Sequence, residues 1–242
     1  MNTVVIIAGG SGSRMGLDVP KQFVLVGKKP VIIYTMQAFQ DHPSIDSIGV
    51  VCIDGWQDVL SDYATQFGIT KLDWIISGGA SAQESIFKGV MHLDDRCDPD
   101  DIVVVHDGIR PLVEPGVISD ILAVCSQHGN AVTSLPYNEQ IFRIDEADPT
   151  STTAYIPRDT LRRVSTPQAY RYGILAARYR EAFAKQIGIG PSSYANTMMV
   201  DLGERLHFAA GSDKNIKLTT MDDLALFQAM LSKSVAAPTG LV

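Results

Sequence analysis

Five stretches, Val4–Ala8, Ser47–Ile53, Leu72–Ser77, Ile102–His106 and Ala131–Leu135, are almost continuously apolar, rich in β-branched residues and of strand length. A strand that shows one face to water alternates apolar and polar residues; one without alternation is covered on both faces, as in a parallel sheet. The intervening segments supply the cover. Val31–Phe39, Trp56–Phe67, Ala82–Leu93 and Pro115–Gln127 carry apolar residues at helical spacing. Asp41-His42-Pro43 ends the first of these, because proline disfavours a helical residue before it. His128-Gly129 ends the last as a left-handed stop. Strand and helix in strict alternation predict a doubly wound, mostly parallel α/β sheet with right-handed crossovers.

The pattern changes after Pro136. Residues 137–157 hold two short β-prone pieces, Gln140–Ile144 and Thr152–Ile156, around a polar Asp-Glu-Ala-Asp-Pro turn. This reads as a protruding β-hairpin arm, and an isolated hairpin needs further cover, so a second copy of the chain is the expected partner. Arg171–Ala184 returns to helix, Ile187–Ala195 reads as a loop, and Leu206–Ala210 as a strand. Thr220–Leu231 reads as a final helix with Thr220 as its N-cap and Asp222-Asp223 at its positive end. Met198-Met199-Val200 reads as core. The expectation is one domain over 1–242 with the arm inserted in it.

Twenty Lys+Arg against 27 Asp+Glu give a formal charge of −7, which disfavours nucleic acid and anionic membranes as partners. No apolar run approaches the roughly 20 residues of a membrane span, and Met1-Asn2-Thr3 has no basic leader signal. Cys52, Cys97 and Cys125 are scattered and odd in number, which fits thiols of a reducing compartment and a cytoplasmic location. His42, His92, His128 and His207 lack metal-ligand spacing. His106 reads as a hydrogen-bonded structural histidine.

The chemistry-bearing segment is A8-G-G-S-G-S-R-M-G-L-D-V-P-K-Q-F23, directly after a buried strand, where α/β folds place ligands. Gly9, Gly10 and Gly12 allow backbone N–H groups to approach an anion, and Arg14 and Lys21 add charge, a combination suited to a polyphosphate. It is not a Walker loop, since no Gly-Lys-Ser/Thr occurs. It is not a dinucleotide fingerprint, since from Gly10 the sixth position is Met15, and the G-x-S-x-G nucleophile elbow is also absent.

The A-G-G-x-G-x-R-M-G and P-K-Q-F blocks resemble those of CTP-dependent cytidylyltransferases of the 2-C-methyl-D-erythritol 4-phosphate and ribitol-5-phosphate type. The resemblance continues in order through His106-Asp107-Gly108-Ile109-Arg110-Pro111, Thr166-Pro167-Gln168 and Asn215-Ile216-Lys217-Leu218-Thr219-Thr220. It implies transfer of CMP from CTP to a small polyol phosphate with release of pyrophosphate. By resemblance, Arg14, Lys21 and Lys217 are catalytic cations and Asp107 carries Mg²⁺. Ala8, Gly9, Gly10, Gly12, Gly79, Ser85 and Gly108 would line the CTP site. Arg110, Arg158 and Thr166 would bind the acceptor, with Arg158 reaching a neighbour's cleft in a homodimer joined by the arm.

Three positions depart from the family pattern. Ala82 stands where an arginine is usual, Gln140 where a threonine is expected in the arm, and Ser193-Tyr194 where the erythritol enzymes show Thr-Asp. They alter acceptor-side positions and spare the triphosphate blocks. Trp56 after Asp54-Gly55, and the Ile156-Pro157-Arg158 run, lie closer to the ribitol branch. Two other readings stay open on the sequence: a nucleotide-binding regulator without transfer chemistry, and a transferase using another nucleotide.

Overall fold

A computed structural model describes residues 1–10, 19–190 and 193–235. Seven strands form one sheet: β1 (Asn2–Ala8), β4 (Ser47–Cys52), β5 (Leu72–Ser77), β6 (Ile102–Asp107), β7 (Asn130–Pro136), β10 (Arg162–Arg171) and β11 (Phe208–Ala210). Their order is β11-β7-β10-β6-β1-β4-β5. β10 runs antiparallel to both its neighbours, β6 and β7, while the other pairings are parallel. β2 (Leu25–Val26) and β3 (Lys29–Pro30) form a small separate ladder.

The alternation along each strand divides the core between two faces. Val4, Ile6 and Ala8 of β1 join Ile48, Val50 and Val104 on one face. There they are covered by α1 (Val31–Gln40), α2 (Gln57–Gln66) and α4 (Pro115–His128). Val5, Val51, Val103 and Val105 face the other way, under α3 (Ala82–Met91), α5 (Tyr172–Lys185) and α6 (Ala195–Asp201). Double cover is why these strands read as unbroken apolar runs. α7 (Met221–Val235) packs Leu224 and Phe227 against Val26, Val31, Ile109 and Leu218, which brings the carboxyl-terminal part of the chain to the end of β6. Among the described residues no helix is long and apolar enough to cross a membrane.

Between β7 and β10 the chain leaves the sheet as β8 (Ile141–Arg143) and β9 (Ala154–Ile156), an antiparallel hairpin carrying exposed Phe142, Ile144 and Tyr155. The helix stops follow the residues expected: Gly129 is left-handed (φ 85°) and its N–H donates to the Cys125 carbonyl. At the start of α7 the Thr220 hydroxyl accepts the Asp223 N–H, and the Asp223 carboxylate accepts the N–H groups of Thr219 and Thr220.

Several expectations are corrected. Residues 162–171, which show no clean apolar run, form the longest strand of the sheet. Ala195 opens α6 and does not end a loop, and β11 starts at Phe208, not Leu206. Met198 and Met199 are buried, but Val200 is exposed, because the next step around the helix turns it off the buried face.

Candidate active site

The carboxyl ends of β1 and β6 lie side by side, Ile7 being the register partner of Asp107. Here a cavity of about 330 Å³ opens, with Asp107, Arg110, Thr166 and Lys217 at one end. Ala82 and Ile86 of α3, with Ser193, Tyr194 and Ala195 at the start of α6, line the rest, over Ile7, Val105 and Gln168. One end is thus charged, and the other combines hydroxyl groups with apolar surface.

Two distant stretches, the 107–110 turn and the segment that carries Lys217, meet at the Asp107 carboxylate. Its Oδ2 accepts from Arg110 Nε at 2.9 Å and lies 3.1 Å from Lys217 Nζ. Burial opposes ionisation of this carboxyl, but the Lys217 ammonium and the Arg110 guanidinium outweigh it and bring it down to about 2. Asp107 is therefore an anion at neutral pH with Oδ2 held between two cations. Its backbone N–H donates to Thr166 Oγ1 at 3.1 Å. Thr166 lies where the β10–β7 ladder shifts register, between Val164 and Gln168. His106, next to Asp107, is fully buried, and its Nε2 lies 3.1 Å from the Arg110 carbonyl. Burial lowers its pKa to about 4, so it stays neutral and structural.

The glycine turns flank this end of the sheet. Gly9 is closely approached, since a Cβ would stand 3.1 Å from Ser85 Oγ, a hydroxyl that would have to shift by a few tenths of an ångström. Ser85 Oγ accepts the Gly79 N–H and donates to the Ser81 carbonyl, both at 2.9 Å, so it braces the 78–79 turn. Gln22 is buried, and its Nε2 donates to the carbonyls of Ala8 at 2.7 Å and Gly10 at 3.1 Å. That bond seats the short 3₁₀ turn Lys21–Phe23, and Lys21 with it, beside the glycine segment.

The structure thus brings together Asp107, Arg110, Thr166 and Lys217, with Ala8, Gly9, Gly10, Gly79, Ser85 and Lys21 around the adjoining turns. Gly12 and Arg14 lie outside the described residues. Two residues expected to face the nucleotide also make backbone hydrogen bonds within the fold. The Ala8 carbonyl takes hydrogen bonds from Gln22 and from the Ile53 N–H. Gly108 donates its N–H to the Ile7 carbonyl, and its own carbonyl accepts from Thr35. The position is tight, as a Cβ would come 3.1 Å from the Ile7 oxygen and 3.2 Å from Ala8 Cβ. Arg158 is not in this chain's cleft; it sits at the base of the arm, donating to the Asn138 carbonyl at 3.1 Å. Of the departures, Ala82, Ser193 and Tyr194 line the cavity, whereas Gln140 belongs to the arm. Gln22 and Asn215 were legible only as members of their blocks, since nothing in the spacing reveals which carbonyl an amide will find.

A mostly parallel sheet with a charged cleft at its strand ends defines an α/β fold with a site suited to a polyanion. The fold superposes on the crystal structure of 4-diphosphocytidyl-2C-methyl-D-erythritol synthase from Anaerococcus prevotii with a TM-score of 0.80, at 22% identity, over 96% of each chain. The chain is 59% identical over 231 residues to the ribitol-5-phosphate cytidylyltransferase of Lacticaseibacillus paracasei, covering 96% of this chain and 98% of that one. It is 32% identical over 235 residues to the 2-C-methyl-D-erythritol 4-phosphate cytidylyltransferase of Geotalea uraniireducens, covering 96% and 97%. The family model for IspD, 2-C-methyl-D-erythritol 4-phosphate cytidylyltransferase, matches residues 2–233, and the chain belongs to that family.

Proposed function

We propose that this chain transfers CMP from CTP to ribitol 5-phosphate and releases pyrophosphate, as a Mg²⁺-dependent, cytoplasmic homodimer. The observation that carries the reaction is the convergence of Arg110 and Lys217 on Asp107 in the cleft beside the glycine segment. The choice of acceptor follows the 59% relative over the 32% one.

An oxygen of the acceptor's phosphate attacks the α-phosphorus of CTP; the new P–O bond forms as the bond to the β-phosphate breaks, and pyrophosphate leaves. The nucleophile is already ionised at neutral pH, so no base is needed, in keeping with a neutral, buried His106. Alignment and charge neutralisation remain as the work of the protein. Lys217 sits at the charged end of the cavity, where charge on the α-phosphate would develop, and Lys21 and Arg14 would serve the triphosphate. Arg110 is held by Asp107 and by the Asn215 carbonyl, so it presents a fixed positive charge to the acceptor phosphate.

The residues fit Mg²⁺. Among the described residues no cluster of three or more His, Cys, Asp or Glu could hold a metal alone. Asp107 Oδ1 takes no part in the Arg110 and Lys217 contacts, and one carboxylate completed by nucleotide phosphates and water is a usual Mg²⁺ shell. When bound, the ion would neutralise phosphate charge. The dimer is supported by the exposed Phe142, Ile144 and Tyr155 of the arm, and three free cysteines support the cytoplasm.

Pyrophosphate release measured across an acceptor panel tests the reading. Turnover is expected with CTP and ribitol 5-phosphate, and little with 2-C-methyl-D-erythritol 4-phosphate. CTP binding without turnover on any polyol phosphate would instead make the chain a nucleotide-binding regulator, and faster turnover with another nucleotide would replace CTP.

A further inference from the structure

Three residues of the cleft and a fourth buried behind them are joined in a closed circuit of hydrogen bonds. Arg110 Nε donates to Asp107 Oδ2 and its Nη1 to the Asn215 carbonyl, each at 2.9 Å. The Asn215 side-chain Nδ2 donates to the Thr166 carbonyl at 2.7 Å. Thr166 Oγ1 accepts the Asp107 N–H at 3.1 Å, which closes the ring. The members come from the end of β6, the irregular part of β10 and the segment before α7. Those segments are far apart in sequence, and helix or ladder bonds alone do not set their spacing.

Asn215 differs from the other three. It is 4% exposed and lies behind the residues that line the cavity. Its Oδ1 is buried without a partner among the described residues. Burying an amide oxygen unpaired costs stability, and an apolar residue of the same size would avoid that cost. Its placement matters for Lys217, two residues on. The 215–218 segment is strapped to the 109–110 turn twice, through the Arg110–Asn215 bond and through Leu218 N–H donating to the Ile109 carbonyl at 2.9 Å.

We propose that Asn215 is a positioning residue for the transfer reaction: its amide ties the Thr166 turn to the 215–218 segment and so sets Asp107, Arg110 and Lys217 in register. The proposal rests on the transferase reading for its kinetic consequence. Asn215→Leu keeps the side chain branched at Cγ with the same number of heavy atoms, removes the donor and also removes the orphaned oxygen. Misplacement of about 1 Å in such a cluster costs on the order of 10²-fold in rate. The variant is expected to lose at least about 10-fold in kcat, with the KM for CTP within about twofold and the thermal midpoint unchanged or raised. Because a ring is broken once or not at all, Asn215→Leu and Thr166→Val should be clearly less than additive in kcat. Additive losses, an unchanged kcat, or a loss that tracks a lowered thermal midpoint would overturn the proposal. Amide hydrogen exchange at Asp107 supplies a readout independent of turnover, expected to quicken about 10-fold or more in Asn215→Leu. Unchanged protection there refutes the clamp; quickened exchange in a chain whose wild type turns over no acceptor upholds the clamp and refutes the transferase reading alone.

Discussion

Replacing Asp107 by Asn removes the anion that separates two cations. In the wild type, burial raises the carboxyl's pKa, but Lys217 and Arg110 prevail and take it from 3.8 to about 2. A folded-state pKa below the unfolded one means stabilisation that is complete above about pH 4 and lost as pH falls toward 2. The shift corresponds to roughly 2 kcal/mol at neutral pH. Leaving the two cations unpaired in a partly buried site adds to this, so Asp107→Asn should lose roughly 2–4 kcal/mol. For a chain of this length that is a fall of about 5–15 °C in thermal midpoint. Urea unfolding at pH 7 and at pH 3 measures it, and the deficit should shrink at the lower pH, where the carboxyl of the unfolded wild-type chain takes up a proton while the folded one stays ionised. Adding Lys217→Met should restore part of the stability by relieving cation repulsion while leaving pyrophosphate release depressed by about 10²-fold or more. An Asp107→Asn variant as stable as wild type at pH 7 would show that the convergence at Asp107 is not an energetic unit.

Three further outcomes follow from the geometry. Gln22→Leu strips the bonds to the Ala8 and Gly10 carbonyls, so it should cost about 1–3 kcal/mol in urea unfolding and raise the KM for CTP more than that for the acceptor. Tyr194, 60% exposed on the neutral side of the cavity, should act on the acceptor: Tyr194→Ala is expected to raise the acceptor KM about 5-fold with the CTP KM little changed, as steady-state titration of each substrate would show. His106, pushed from 6.5 to about 4 mainly by burial, stays neutral in the fold while the unfolded chain takes up a proton. Its contribution is complete above about pH 6.5 and falls by up to roughly 1.4 kcal/mol per unit as pH drops toward 4, a slope that His106→Gln should remove from the unfolding free energy measured against pH.

What the sequence made legible depended on how much each element's signal was its own. β1, β4, β5 and β6 are covered on both faces, and their unbroken apolar runs mark them directly. β10 carries no such mark, because Arg162, Arg163, Ser165 and Thr166 fill four of its ten positions and Pro167 sits at its irregularity; its place in the sheet comes from the neighbours β6 and β7. α6 was hidden by the Gly- and Pro-containing stretch before it. In the site, the charged residues could be named in advance, since polyanion chemistry demands cations and a carboxylate. The amides could not. Gln22 and Asn215 act on carbonyls brought near by folding, and Ala8 and Gly108 spend backbone groups on Gln22, Ile53, Ile7 and Thr35 that a strand-end position alone would leave for a ligand.

The central claim is that this cleft joins an acceptor's phosphate to the α-phosphorus of CTP. Ribitol 5-phosphate bearing ¹⁸O in its phosphate, incubated with CTP, Mg²⁺ and the pure chain, tests it through product mass and ³¹P NMR. The predicted product is cytidine diphosphate ribitol that retains the acceptor's label, one of the labelled oxygens bridging the two phosphorus atoms, formed in equal amount with unlabelled pyrophosphate. Absence of that product, or label appearing in the pyrophosphate, would contradict the account.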